Sequence, residues 1–269
     1  MPSPDAPFET VLGEPRARRL IKELLAHVGR VRTEHYISLE FPEERIQSRP
    51  AVQAIAIDET GRATAIQHVP IEGLAPADAA SDRLFAALAP LEQTPPPGVS
   101  GFHVDLSVSL GFGPASVDMK LLANGLRGWC ARQIETAPEG LSTHVITVSG
   151  RPVRLQMEKT RCLEGPGRLA VFRAELPSMF ATAVAEGLRA RLYTLLQASA
   201  DRHVLLFEQR DHQWSPAHLR TELEASFEFP ELALVHEIWI VDARSVKLGE
   251  TPVFRQILPV NLHGAQTHA

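Results

Sequence analysis

The sequence of 269 residues has few cysteines, few aromatic residues and no long apolar run. Its two cysteines, Cys130 and Cys162, are too few for a disulfide framework, and neither lies in a Cys/His cluster typical of zinc sites. We expect both to be reduced, structural residues. No stretch approaches the ~18 consecutive apolar residues of a membrane span, and the first residues lack the features of a secretory signal. These absences favour a cytoplasmic protein with no membrane partner.

A strong charge of either sign is also missing. The chain has 27 Lys and Arg against 32 Asp and Glu, a formal net charge of −5. This balance gives no general attraction to nucleic acid or to anionic membranes, so any contact with DNA must be local. The hydrophobic content of 44% suffices for a sizeable core, and we expect one domain with an insertion.

An amphipathic first helix is predicted over residues 14–32. Gly29 stands where a C-terminal cap belongs. Apolar residues recur at helical spacing along it, namely Leu20, Ile21, Leu24, Leu25 and Val28. Its polar side carries Arg16, Arg18 and Arg19. These arginines form either a solvated face or a ridge that contacts the phosphates of DNA.

A β-hairpin is predicted over residues 51–72, where the apolar runs AVQAIAID and ATAIQHVPIE flank the turn ETGR. After the breaker at residues 94–98 come the alternating strand FHVDLSVSL, a helix that Ser116 could cap, and a second hairpin around residues 149–151. We assign about 95–178 to an inserted α+β segment with antiparallel strands. Helices then alternate with the apolar strands HVLLFEQ and HEIWIVDA, which predicts parallel crossover units.

The order of these elements resembles the common core of the PD-(D/E)XK nuclease-like superfamily. The segments RPAVQAIAIDETGRATAIQHVPIEG, RHVLLFEQ and VHEIWIVDA are similar to an uncharacterised bacterial group in it, whose hairpin reads Pro-Asp-Ala, a glycine turn and Glu-His-Thr. The resemblance covers about residues 14–78 and 183–260. It implies an α/β fold with a mixed sheet and helices on both faces, the restriction-endonuclease-like core, and an insertion at about 95–178 within a single domain 1–269.

The hairpin departs from this family at the residues that would bind a metal. Such nucleases bind Mg²⁺ with an Asp and a Glu on neighbouring strands, and a Lys commonly assists. The predicted register pairs Ile57 with Ala63, Ile55 with Ala65, and Gln53 with Gln67. Gln53 and Gln67 therefore stand where the resemblance implies carboxylates, and Arg191 stands where it implies a cationic residue. Two amides supply no charge to offset magnesium dehydration, so we expect no metal cofactor.

The leading hypothesis is a catalytically degenerate nuclease-like protein that serves as a binding or assembly component. It would contact DNA through Arg16, Arg18, Arg19 and Arg191, because arginine stays protonated and binds phosphate without acting as a base. The alternative is an unrelated α/β fold in which Gln53 and Gln67 are ordinary cross-strand amides.

A second hypothesis is an active metal-dependent nuclease with migrated ligands, for which Mg²⁺ would be the cofactor. Three carboxylates are candidates by sequence order: Glu40, Asp58 and Glu208. His68 and Glu72 are also close in sequence, but strand alternation directs them to the face opposite Gln67.

A third hypothesis, from another class, is a protein–protein interaction module whose contact surface lies on the inserted segment. An exposed apolar patch on the strand FHVDLSVSL would favour it. His103 and Asp105 share one face of that strand, and two ligands without a third are a weak metal site. We expect them to be a solvent-facing pair. The loop GFGPAS, at residues 111–116, lacks the third glycine of a dinucleotide-binding loop and predicts a strand-to-helix turn.

Overall fold

The computed structural model describes residues 14–42, 51–71, 79–110, 118–162, 167–173, 188–210, 212, 215–226, 234–243 and 252–259. Across these ranges the chain is a mixed α/β protein with five helices and ten strands in two mixed sheets, which confirms the predicted α/β class. None of the helices in the described part of the chain is long and apolar enough to cross a membrane.

The helices are α1 (Arg16–Arg32), α2 (Ala79–Gln93), α3 (Met119–Gln133), α4 (residues 188–196) and α5 (Pro216–Ser226). The strands are β1 (Tyr36–Glu40), β2 (Ala54–Asp58), β3 (Ala63–Ile71), β4 (Phe102–Ser109), β5 (Gly140–Val148), β6 (Arg151–Arg161), β7 (Arg168–Arg173), β8 (Arg202–Gln209), β9 (Glu237–Asp242) and β10 (Val253–Pro259).

The chain divides into two compact units. The first comprises Met1–Glu72, Ala181–Arg210 and Arg220–Ala269, and the second comprises Gly73–Phe180 and Asp211–Leu219. The second unit therefore begins before residue 95, where the sequence placed the start of the insertion, and it includes α2.

A six-stranded sheet in the order β1-β2-β3-β8-β9-β10 forms the first unit. β8 and β9 run parallel, as the alternation of helices and apolar strands predicted. β3 is also parallel to β8, which that alternation did not predict, and the other neighbours are antiparallel. The edge strands β1 and β10 were not predicted. In the hairpin, Ile57 faces Ala63 and Ile55 faces Ala65, which is the predicted register for these two pairs.

The helix α1 covers one face of this sheet. Its buried leucines share a core with Ala54, Ile66, Leu206 and Trp239 of four strands. The helix continues past Gly29 to Arg32 and ends at Thr33, which has a φ of 55°. The predicted cap at Gly29 is wrong. A glycine is needed there because the backbone passes close to Glu34: a Cβ at Gly29 would lie 2.9 Å from the Glu34 carbonyl oxygen.

The second unit contains a four-stranded sheet in the order β5-β6-β4-β7. Its strands are antiparallel except for the parallel pair β4–β7, which the sequence did not predict. Residues of α2 and α3 share a core with Val104, Leu106 and Val108 of β4. The helix α3 is capped by Asp118, and the predicted cap Ser116 lies outside the described residues, as does the loop 111–116.

Two expectations for β4 are wrong. Residues 103–108 are all buried, so no exposed apolar patch lies on that strand. His103 and Asp105 are 7% and 4% exposed, and they are therefore not a solvent-facing pair. The reason is that β4 is an internal strand of its sheet, flanked by β6 and β7, whereas alternation alone suggested a strand with one solvated face.

Candidate functional site

The three residues predicted to mark a degenerate nuclease site lie together at one end of the hairpin. Gln53 precedes β2, and its Oε1 accepts a hydrogen bond from the His68 backbone N–H at 2.6 Å. Arg191 of α4 donates from Nη1 to the His68 carbonyl oxygen at 3.5 Å. Gln67 is the preceding residue of β3. The side chains of Gln53 and Arg191 thus bind one residue next to Gln67.

Gln53 does not pair with Gln67 as a ladder residue. The pairing of β2 with β3 ends at Ala54 and Ile66, one step short of the predicted amide pair. Beyond that point the Gln53 side-chain oxygen accepts the hydrogen bond from the His68 N–H that a backbone carbonyl of a longer β2 would have accepted.

Gln67 is a buried amide with an unsatisfied acceptor. Its side chain is on the sheet face opposite α1, because Ile66 on the alternate face belongs to the α1 core. The residue is 1% exposed, and its Oε1 has no hydrogen-bond partner among the described residues. A buried acceptor without a partner costs about 1–3 kcal/mol. A bound donor group at this point would recover that cost.

A charged cluster occupies the α1 face of the same strands. Glu208 is fully buried, and its Oε2 lies 3.0 Å from His68 Nε2 and 2.8 Å from Arg210 Nη2. Its Oε1 lies 2.5 Å from Arg16 Nε. His68 thus lies on the face opposite Gln67, as the alternation of β3 predicted. Glu72 lies outside the described residues.

The environment of Glu208 keeps its carboxylate ionised. Burial raises the pKa, but the hydrogen bonds from His68 and Arg210 and the charge of Arg16 outweigh it and bring the pKa to about 2. The cluster lies near the carboxyl ends of the parallel strands β3 and β8, where open α/β sheets commonly bind ligands. The Glu208 carboxylate thus contacts three side chains of the same unit: Arg16, His68 and Arg210.

The three carboxylates proposed as migrated metal ligands do not converge. Asp58 follows the pair Ile57–Ala63 at the turn, whereas Glu208 faces Pro70, seven residues further along β3. Seven strand residues span roughly 23 Å. Glu40 ends β1 and is exposed. Among the described residues there is no group of three His, Cys, Asp or Glu that could hold a metal ion.

The side chain of Asp58 forms hydrogen bonds with residues of the hairpin turn. Its Oδ1 accepts hydrogen bonds from the Thr60 hydroxyl at 2.6 Å and from the backbone N–H groups of Thr60 and Arg62. The Arg62 guanidinium binds Oδ2. The Thr60 hydroxyl contributes most to lowering the pKa of Asp58 to about 2 against the opposing effect of burial.

The three arginines of α1 among the four predicted to contact DNA have intramolecular contacts. Arg16 binds Glu208 and also donates to the Ala243 carbonyl oxygen at 3.1 Å. The guanidinium of Arg18 lies 4.5 Å from the centre of the Phe41 ring, and Arg19 Nε lies 3.8 Å from Glu23. The ridge is therefore stabilised from within the first unit, and part of its positive charge is offset there.

The His68–Glu208 pair was not predicted from the sequence. A usable signal was present: each of two adjacent apolar strands carries one ionisable residue near its carboxyl end, and parallel strands bring such ends together. Arg210, directly after β8, was also missed.

Comparison with protein-family models, with curated proteins and with solved structures gives no match to this chain.

Proposed function

We propose that this chain is a catalytically degenerate PD-(D/E)XK nuclease-like protein that acts as a binding component, with DNA as its ligand. The observation that carries the proposal is that the side chains of Gln53 and Arg191 both contact the backbone of His68, the residue next to Gln67. In the resembling family these positions correspond to two carboxylates and a cation.

The topology of the first unit supports the proposed ancestry. The helix α1 is followed by the antiparallel strands β1, β2 and β3, and the helix α4 precedes β8, which pairs in parallel with β3. This is the order of helix, hairpin, helix and strand on which the resemblance rests. A restriction-endonuclease-like core would have this mixed sheet at its centre.

The chemistry of the site favours binding over hydrolysis. Its two amides are neutral, and the oxygen of Gln53 already accepts a backbone hydrogen bond. Magnesium needs anionic oxygen ligands to offset its dehydration. Arg191 is partly exposed and keeps its positive charge, so it is suited to contact a phosphate.

Restoring the carboxylates tests the ancestry of the site. In the double variant Gln53→Asp with Gln67→Glu, we expect Mg²⁺ or Mn²⁺ to raise the melting temperature, because the metal would bind the folded state and neutralise the two introduced charges. The wild-type protein should show no such rise and no metal binding by calorimetry. Gln209→Glu is the matched control, since it puts a carboxylate at another buried amide of the same sheet. Equal metal responses in both variants would contradict the proposal.

DNA binding is tested with the wild-type chain. A filter-binding assay should give an affinity that falls with salt, with a slope of about −0.9 for each phosphate contact. Arg191→Gln should reduce both the affinity and the slope, whereas Arg132→Gln, which removes an exposed arginine at the end of α3, should change neither. Cleavage of plasmid DNA that requires a metal and is lost on mutation of the hairpin would overturn the proposal in favour of an active nuclease.

One observation favours a protein-interaction module as the second candidate. The strand β5 is at an edge of the second sheet, and its Leu141 and Val145 are 57% and 64% exposed. An exposed, apolar edge strand can pair with a strand of another protein. Sedimentation over a concentration series checks for pairing with a second copy, which Val145→Lys should weaken.

A further inference from the structure

The second unit holds a cysteine in contact with a histidine. Cys162 lies directly after β6, and its Sγ is 3.0 Å from Nε2 and 3.5 Å from Nδ1 of His103 on β4. The Cys162 backbone N–H donates to the Gly101 carbonyl oxygen at 2.9 Å, which holds the residue beside the start of β4. A nucleophile and a base within hydrogen-bond distance are the arrangement that activates a thiol.

The two cysteines of the chain have different environments. Cys162 is partly exposed and touches an imidazole, whereas Cys130 is fully buried among the apolar residues of the second core. Burial raises the pKa of Cys130 to about 12. A thiol reacts through its thiolate, so Cys130 is inert at neutral pH and serves as an internal reference for Cys162.

The strands around His103 carry charges of both signs on the same face. Asp105 is two residues along β4, and Glu158 faces it from β6. Arg168 faces His103 from β7, and Thr160 faces it from β6. Asp105 and Glu158 are both buried beside it.

We propose that Cys162 and His103 form a reactive thiol site that is modified covalently by small electrophiles, with hydroperoxides as the biological class. From the sequence we expected Cys162 to be structural and His103 to face solvent, and only the pairing of β4 with β6 brings the two together. This site belongs to the second unit and does not depend on the proposed nuclease ancestry.

The chemistry of the site uses only these two residues and the electrophile. His103 takes the proton of the Cys162 thiol. The thiolate attacks one oxygen of the hydroperoxide, so that an S–O bond forms and the O–O bond breaks. The departing oxygen takes the proton from His103 and leaves as water or an alcohol. The sulfur is oxidised to sulfenic acid by two electrons, and the peroxide is reduced by the same two.

Alkylation of the whole chain tests the pair, with iodoacetamide as the probe. The thiolate displaces iodide, and peptide mapping by mass spectrometry measures the rate at each cysteine. At pH 6 an ordinary thiol is only about 0.3% ionised. A thiol activated by His103 would be more ionised, although an acidic thiolate is also a weaker nucleophile. We therefore expect Cys162 to react about tenfold faster than glutathione at this pH. Cys130 should stay unlabelled in the folded protein.

His103→Gln should reduce the rate at Cys162 by about tenfold at pH 6, since it removes the base. His144→Gln is the matched control: it changes a histidine of the same sheet that contacts Ser142 and Trp129, and it should leave the rate unchanged. With hydrogen peroxide, dimedone should trap a sulfenic acid at Cys162 and none at Cys130.

Two results would overturn the proposal. One is a wild-type rate at Cys162 no faster than that of glutathione at pH 6, a comparison that needs no variant and holds even if His103→Gln does not fold. The other is a folded His103→Gln protein that reacts at the wild-type rate.

Discussion

At the scale of single residues, adjacent positions of β3 have opposite electrostatic roles. Gln67 is neutral and leaves its oxygen unsatisfied on one face, whereas His68 binds a fully buried carboxylate on the other face. Gln53 differs from Gln67 because its oxygen accepts a backbone hydrogen bond. Each of the two amides can therefore be tested with the same substitution.

We expect Gln67→Met to leave the free energy of unfolding unchanged or to raise it by about 1 kcal/mol, because methionine removes a buried acceptor that has no partner. The matched substitution Gln53→Met should lower it by about 1–2 kcal/mol, because it leaves the His68 N–H without its acceptor. Urea denaturation of both variants measures the two values. Equal losses in the two proteins would show that the Gln67 oxygen is satisfied.

Glu208 should make the free energy of unfolding depend on pH in the acidic range. The pKa of Glu208 is about 2 in the folded protein against an ordinary 4.5, so its contribution is complete above about pH 5 and is lost as the pH falls from 4.5 to 2. We expect Glu208→Gln to lower the free energy of unfolding by about 2 kcal/mol at pH 7, a figure moderated by the partial exposure of its two arginine partners.

Denaturation of wild type and Glu208→Gln between pH 7 and pH 2.5 checks this expectation. The difference between the two proteins should shrink as the pH falls. Glu224→Gln, which changes an exposed glutamate on α5, is the control and should track the wild type at every pH. A difference that stays constant with pH would contradict the assigned ionisation.

At the scale of elements, the beginning of α3 depends on one side chain. Asp118 Oδ1 accepts hydrogen bonds from the backbone N–H groups of Lys120 at 2.9 Å and Leu121 at 3.2 Å. Asp118→Ala should therefore lower the free energy of unfolding by about 1 kcal/mol, and Asp118→Asn should retain most of the cap. Thermal unfolding followed by circular dichroism compares the two. An Asn variant as unstable as the Ala variant would show that the charge, rather than the cap, is what matters.

The hairpin β2–β3 shows which element properties follow from local sequence. Its turn has Gly61 at a φ of +84°, and Asp58 binds the turn residues Thr60 and Arg62. These are short-range features, so the turn and the register near it could be predicted. Pairing further from the turn depends on side chains such as Gln53, whose hydrogen bond replaces the ladder.

At the scale of the whole molecule, each of the two units has its own hydrophobic core. Leu24 of α1 is 1% exposed in the first, and Leu126 of α3 is fully buried in the second. Leu→Ala at a buried site costs about 2–5 kcal/mol.

We expect Leu24→Ala to increase hydrogen exchange mainly in β3, β8 and β9, and Leu126→Ala to increase it mainly in β4 and β6, because opening is local to the core that is weakened. Mass spectrometry of deuterated peptides measures both patterns. The same increase across all five strands in both variants would mean that the two cores unfold as one cooperative unit.

The sequence by itself determined the α/β class, the hairpin register near Thr60 and the parallel strands β8 and β9, because these depend on periodicity and on short turns. The edge strands β1 and β10, and the burial of β4, depended on strand neighbours far apart in the chain, which local patterns do not report.

Only the tertiary structure decided the partners of the polar residues. It joined Glu208 to Arg16 and His68, and His103 to Cys162, across 59 to 192 positions of chain. A strand pattern shows which face of the sheet a residue occupies. Contacts with residues far away in the chain decide whether a charged side chain has a partner of opposite charge and whether a thiol lies beside a histidine.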